Sequence, residues 1–260
     1  MSDPVITVRN GQILEITLDR PKANAIDAAT SRLLSRAFET FRDDGDLRVA
    51  ILTGGGERFF SAGWDLNAAA EGEEFESDYG AGGFGGFGEL PDLTKPVIVA
   101  VNGMAVGGGF EMVMAADLVV AADHAEFFLP ETGIGIIPDV GAIRLPRMLP
   151  RQLATEILIA GRRVTAAEAL EWGLVNQVVP GVELMAAARE LAQRVVEAAP
   201  LAVAAILDLM KRTGHLGVEE GFTLMRSGEM EIYERMLASD DAKEGPRSFV
   251  EKRPPRWTGR

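Results

Sequence analysis

Three consecutive glycines, Gly107-Gly108-Gly109, separate an apolar run at 97–101 from a second apolar run at 112–116. The first run, bounded by Lys95-Pro96 and Asn102-Gly103, reads as a short buried strand. The second reads as a helix. Between them the backbone has no Cβ for three residues, so it can approach another group closely and present bare N–H groups. Amides at the start of a helix hold an oxygen that gains negative charge. Glu111 follows the glycines at once, and a second carboxyl, Glu131, stands in Phe127-Phe128-Leu129-Pro130-Glu131-Thr132-Gly133. An oxyanion site with two carboxyls beside it suits proton transfer next to a carbonyl, where the two acids divide the donor and acceptor roles. Taken singly, each glutamate also fits a plain first-turn acid favoured by the helix dipole.

The surrounding pattern alternates strands and helices. Residues 5–8 and 13–18 read as strands of a hairpin around Asn10-Gly11. Asp27 reads as the N-cap of a helix running to about Phe41. Further strands are expected at 49–53, 97–101, 118–121 and 125–128. Strands spaced by helices of this length predict β-α-β units and a largely parallel sheet. From about Pro146 the pattern turns helical, over 151–160, 166–172, 182–198, 201–212 and 218–237, with one short strand at 174–179. The α/β core is thus expected over 1–195, and a helical region for oligomerisation and active-site covering over 196–260.

The stretch from Glu71 to Glu89 stands apart. It is first acidic, then so rich in glycine that six of the nine residues 80–88 are Gly. A mobile loop is expected there. It contains a literal GxGxxG at Gly83, Gly85 and Gly88. No strand signal precedes that motif and Glu89-Leu90-Pro91 follows it, so the dinucleotide reading fails.

Composition removes several classes of function. The 260 residues carry a formal charge of −13, which argues against nucleic acid or an anionic membrane as partner. There is no cysteine, hence no disulfide, no thiol nucleophile and no thiolate metal site. The only histidines, His124 and His215, show no metal-ligand spacing, and no metal is expected. Ser61 has no histidine placed by sequence to activate it. The start resembles no signal peptide and no apolar run is long enough to span a bilayer, so a cytoplasmic location is expected.

Four motifs, Ser61-Ala62-Gly63-Trp64-Asp65-Leu66, Val101-Asn102-Gly103, Gly107-Gly108-Gly109-Phe110-Glu111 and Pro130-Glu131-Thr132-Gly133-Ile134-Gly135, resemble those of the enoyl-CoA hydratase/isomerase (crotonase) superfamily in order and spacing. The ending Ser248-Phe249-Val250-Glu251-Lys252-Arg253 adds to the match. Residues 19–27, 59–66, 68–72 and 257–260, with the bulky Trp64 foremost, are most similar to members that dehydrate a β-hydroxyacyl-CoA bearing a trimethylammonium group.

The resemblance implies a spiral of β-β-α turns with a C-terminal helical trimerisation region, and a homotrimer or a hexamer made of two trimers. It implies acyl-CoA substrates, with CoA part of the substrate and no separate cofactor. The backbone N–H groups of Trp64 and Gly108 would form the oxyanion hole, and Glu111 and Glu131 the acid–base pair. Contacts to CoA would come from Lys22, Ala62, Asp65, Leu66, Phe249 and Lys252, with Arg20 two residues before Lys22. Asp139 is a third carboxyl, read either as the N-cap of a helix toward Met148 or as the acid of a double-bond isomerase. Trp64, with Phe75, Tyr79, Phe84 or Phe87 and the loop acids, makes a candidate box for a quaternary ammonium. A generic enoyl-CoA hydratase, an enoyl-CoA isomerase and a non-catalytic scaffold on the same fold stay open.

Overall fold

The computed structural model describes residues 3–260. Met1 and Ser2, at the start read above as leaderless, lie outside the described residues. The chain divides into two compact units. One runs up to Leu93 and from Val97 to Ala192; the other comprises Thr94–Pro96 and Gln193–Arg260.

In the first unit, β1 (Val5–Asn10) and β2 (Ile13–Leu18) form the antiparallel hairpin, with Val5 opposite Leu18. Helix α1 (Ala28–Asp43) starts where expected: the Asp27 side chain accepts from the Thr30 N–H at 2.7 Å. A repeating β-β-α path follows. It runs β3 (Val49–Gly54), β4 (Phe59–Ser61) and α2 (Leu66–Ala70), then β5 (Val97–Val101), β6 (Met104–Val106) and α3 (Gly108–Ala115). The third turn is β7 (Leu118–Ala122) and β8 (Glu126–Phe128), a 3-10 turn at Glu131–Ile134, and α4 (Asp139–Met148). Helix α5 (Arg151–Ala160), β9 (Val164–Thr165), α6 (Ala166–Glu171) and β10 (Gln177–Val179) complete the alternating part.

The first strand of each turn joins a six-stranded sheet, ordered β1-β2-β3-β5-β7-β10 and parallel from β2 onward. The second strand of each turn joins a four-stranded sheet, β4-β6-β8-β9, in which β4, β6 and β8 are parallel. The chain therefore builds two sheets, not the one that strand spacing alone predicted. All six residues of β3 and all five of β5 are buried, which explains why these strands read as continuous apolar runs without alternation. The core joins this sheet to α1 through Leu34, Phe38 and Phe41, and continues into Phe60, Phe110 and Phe127.

The acidic-then-glycine stretch divides in two. Its acidic part is largely exposed, while most of residues 82–87 are buried against α1. Ser31 Oγ donates to the carbonyls of Tyr79 and Gly83, and the Gly82 N–H donates to Ser35 Oγ. A Cβ on Gly86, whose φ is +87°, would stand 2.5 Å from the Ser35 nitrogen. The glycines permit backbone-to-backbone contact with a helix, and this half of the segment is packed against α1, in contrast to the mobile loop expected.

Helix α7 (Leu184–Val196) crosses the unit boundary, and the second unit continues as α8 (Pro200–Thr213), α9 (Val218–Met225), α10 (Glu231–Ala238) and α11 (Asp240–Glu251). The single helix expected over 218–237 is two, broken after Arg226, where Gly228 takes φ +81°. The last residues fold back along α11: both carboxylate oxygens of Asp241 accept backbone N–H groups, from Thr258 and Gly259. Among the described residues, no helix is long and apolar enough to cross a membrane.

Candidate active site

Strands β4, β6 and β8 lie side by side and parallel, and each ends two or three residues before a group of interest: Trp64, Gly108 and Glu131 respectively. The loop after β4 bridges to Ile26, with the Ile26 N–H donating to Gly63 O at 2.8 Å and the Asp65 N–H donating to Ile26 O at 2.9 Å. In a parallel bridge the middle residue's own N–H faces the other way, so that of Trp64 is left free. Gly108 is the first residue of α3, and its N–H has no intrahelical acceptor. The two loops touch: a Cβ on Gly63 would lie 2.6 Å from the Gly108 nitrogen. Two free amides thus stand at adjoining strand ends.

A cavity of about 330 Å³ opens beside them, lined by Ala62, Trp64, Leu66, Gly108, Glu111, Glu131 and Asp139 among others. Glu111 projects from the first turn of α3 and Glu131 from the 3-10 turn; they are 8% and 7% exposed. Glu111 Oε1 accepts from the Gly141 N–H at 2.8 Å. Burial pushes its carboxyl up to about 7; the Gly141 bond opposes this, and the negative charges of Asp139 and Glu131 add to it. Glu131 is tucked against Gly107, where a Cβ would meet its Oε1 at 2.5 Å, and its buried Oε2 has no hydrogen-bond partner. Burial raises this carboxyl too, assisted by Asp139. Both acids thus hold their protons to higher pH than an ordinary surface carboxylate does.

Asp139 is exposed and lines the cavity. It is the first residue of α4, not its N-cap: Pro138 holds that position, and the Asp139 carboxylate accepts only from the next residue's N–H.

The opposite wall is aromatic. Trp64 and Phe75 meet edge-to-face at 5.5 Å, and Tyr79 and Phe84 at 5.3 Å. Glu73 ties this wall to the scaffold. Its Oε1 accepts from the Trp64 indole N–H at 3.0 Å, and its Oε2 accepts from the Ala28 N–H, at the start of α1, at 2.9 Å. Nothing in the sequence singled out Glu73 among the loop acids: Trp64 lies nine residues before it with no helical or strand spacing to link them, and Ala28 lies 45 residues away. Phe87 does not belong to this wall; it is buried against Phe38 at 4.8 Å.

The expected CoA contacts fare unevenly. Ala62 and Leu66 line the cavity. The Asp65 side chain is buried and committed elsewhere: it caps α2 through the Asn67 N–H and accepts from Arg20 Nη1 at 2.6 Å. Its backbone is engaged as well, the N–H on Ile26 O and the carbonyl on the Ala69 N–H. Arg20, read as a companion of Lys22 for phosphate, also donates to Asp27 and to Ala25 O, and so joins the caps of α1 and α2. Lys22 is exposed outside the cavity lining. Phe249 and Lys252, in the second unit, are exposed on and just after α11; Phe249 is 85% exposed. Ser61 is fully buried and donates to Asn24 O at 2.7 Å, a structural hydroxyl.

Two sheets wound from β-β-α turns, with free amides and buried acids at the strand ends, are the architecture of crotonase-type enzymes. A family model described as enoyl-CoA hydratase/isomerase matches residues 8–260. An enoyl-CoA hydratase structure from Mycobacterium tuberculosis aligns with a TM-score of 0.90 at 40% identity, covering 100% of both chains. An enoyl-CoA hydratase structure from Bacillus anthracis gives 0.89 at 33% identity, covering 99% of this chain and 100% of the other. A carnitinyl-CoA dehydratase from Salmonella enteritidis is 58% identical over 261 residues, with 100% of each chain covered. The chain belongs to the enoyl-CoA hydratase/isomerase family.

Proposed function

We propose that this enzyme interconverts carnitinyl-CoA and crotonobetainyl-CoA by removing or adding water across Cα–Cβ. The observation that carries the reading is full-length identity of 58% to proteins named carnitinyl-CoA dehydratase, joined to a cavity holding two acids of raised pKa beside two free amides. The thioester oxygen accepts from Trp64 and Gly108 N–H as the enolate forms, each donor worth about 3–4 kcal/mol. Glu131, with its unpartnered Oε2, exchanges the Cα proton. Glu111, pinned at Oε1 by Gly141, uses its other oxygen on the Cβ hydroxyl, as acid in dehydration and base in hydration. The reaction involves no net redox change, so CoA enters only as part of the substrate. Lys22, Phe249 and Lys252 are assigned to the CoA nucleotide by family position.

A trimer or a dimer of trimers is supported by apolar side chains left exposed on the helices of the second unit, Ile206, Met210 and Phe222 among them. A cytoplasmic site of action is supported by the cysteine-free composition.

Asp139 in the cavity lining favours one second reading, a double-bond isomerase with a carboxyl at the far end of the acyl chain. An absorbance assay at the enoyl-thioester band separates the two, comparing crotonobetainyl-CoA, crotonyl-CoA and a 3-enoyl-CoA, with Glu111→Gln and Glu131→Gln as controls. Preference for crotonobetainyl-CoA and losses of about 10²-fold or more in both variants are expected. Activity confined to the 3-enoyl substrate would install the isomerase reading.

A further inference from the structure

The acyl end of the cavity has a composition that a neutral hydrocarbon chain does not need. Its lining includes Glu76, Asp78, Glu89 and Asp139 besides the two buried glutamates, and no lysine, arginine or histidine. Four aromatic rings face the same space. The Tyr79 hydroxyl is pushed up to about 12 by burial and then by Glu73, Asp139 and Glu76, so the local potential is negative. A neighbouring cavity of about 400 Å³ shares Phe84, Glu89, Glu111 and Asp139 with this lining and adds Met112, Ile143 and the cationic Arg144. The two differ in that Arg144 brings a positive charge to the second, whereas the Trp64 side has none. Most of the flanking carboxylates are exposed, so the aromatic faces and not a close ion pair make the enclosed part of the site.

Resting on the acyl-CoA reading above, we propose that Trp64, Phe75, Tyr79 and Phe84 form a cage for a quaternary ammonium on the acyl group, and that Glu73 is its positioning residue. A quaternary nitrogen has no N–H to donate, so hydrogen-bond acceptors alone cannot recognise it. The faces of tryptophan and tyrosine attract it within about 6 Å. Glu73 spends both oxygens on orientation, one on the indole and one on the first amide of α1, and so fixes the angle at which Trp64 meets the substrate. The same residue whose backbone faces the thioester oxygen thereby carries, on its side chain, the selection of the acyl group.

The test uses saturated, unreactive ligands. Binding of 4-(trimethylammonio)butanoyl-CoA is measured by calorimetry against its carbon isostere, 5,5-dimethylhexanoyl-CoA, which has the same shape and no charge. The full-length protein is expected to favour the cation by about tenfold or more. Phe75→Leu and Trp64→Leu each cut that ratio at least about threefold, with circular dichroism reporting whether either variant folds. Glu73→Ala cuts it similarly and Glu73→Gln, which keeps an acceptor for the indole, restores most of it. Glu74→Ala, which deletes an equal charge one residue away, leaves the ratio in place. A ratio near one in the unaltered protein, or a ratio indifferent to Phe75 and Trp64, overturns the cage. A ratio that falls as much in Glu74→Ala as in Glu73→Ala overturns the role of Glu73. Turnover separates this from the underlying reading: an enzyme that hydrates crotonobetainyl-CoA and its isostere with equal KM loses only the cage. One that hydrates crotonyl-CoA and never the betaine loses the substrate assignment as well.

Discussion

Glu111 pays for its reactivity in stability. Burial pushes its folded carboxyl up to about 7 from an ordinary 4.5. Below about pH 4.5 both folded and unfolded forms hold the proton and nothing is lost. Between the two values the unfolded chain ionises first, and above about 7 the full cost of about 3 kcal/mol is present. Glu111→Gln keeps an oxygen for the Gly141 N–H and removes the charge. It is expected to abolish most activity yet exceed the parent in stability by up to about 3 kcal/mol near pH 8, with no gain near pH 4. Urea unfolding at both pH values checks this, and a gain independent of pH would refute it. In the roles proposed above, dehydration uses Glu111 protonated and Glu131 ionised and hydration the reverse, so both directions draw on the singly protonated pair. Rate profiles in the two directions should therefore share one bell, with kcat/KM falling as pH rises through about 7. Asp139→Asn removes a negative charge that raises both acids, so the alkaline limb moves to lower pH; an unmoved limb would take Asp139 out of the electrostatics.

At the scale of elements, what was legible followed from burial. Strands β3 and β5 announced themselves as uniformly apolar runs between glycine or proline breaks, and Asp27 announced α1 by its capping chemistry. Strands β4 and β6 did not: at three residues they are too short to show a period, and β8 and β10, equally short, were legible only as parts of longer apolar runs. Strands β4 and β6 are nonetheless the ones that carry Trp64 and Gly108 to the site. The two glutamates stood out because each adjoins backbone shaped for a ligand. Glu73 and the Arg20–Asp65 pair did not, because bonds from Glu73 to Ala28 and from Arg20 to Asp65 each span 45 residues and leave no local pattern. The glycine segment was misjudged as mobile for a related reason: its glycines serve contact with α1, which only the folded chain reveals. Gly86→Ala places a methyl against the Ser35 backbone at a positive φ and should cost about 2–3 kcal/mol by urea unfolding. Arg20→Ala frees two capping carboxylates at once; a comparable loss is expected, together with a fall in kcat as the loop bearing Trp64 loosens.

For the whole molecule, the second unit exposes apolar side chains on its helices at a density that a solitary chain would not favour. Light scattering is expected to give three or six times the mass of one chain, and a stable single-chain mass would remove the assembly assigned above. The first unit, for its part, obtains its chemistry by repetition: three turns of the spiral set down two amides and one carboxyl at successive strand ends. Neighbouring strands in any sheet lie about 4.8 Å apart. An oxygen about 2.9 Å from each of two donors held at that separation sits just above the midpoint between them, within ordinary hydrogen-bond reach of both. The sheet is thus a gauge block. In the roles proposed above, its spacing sets the scale of a two-pronged grip on a single atom, and the loop residues beyond it decide whom that grip admits.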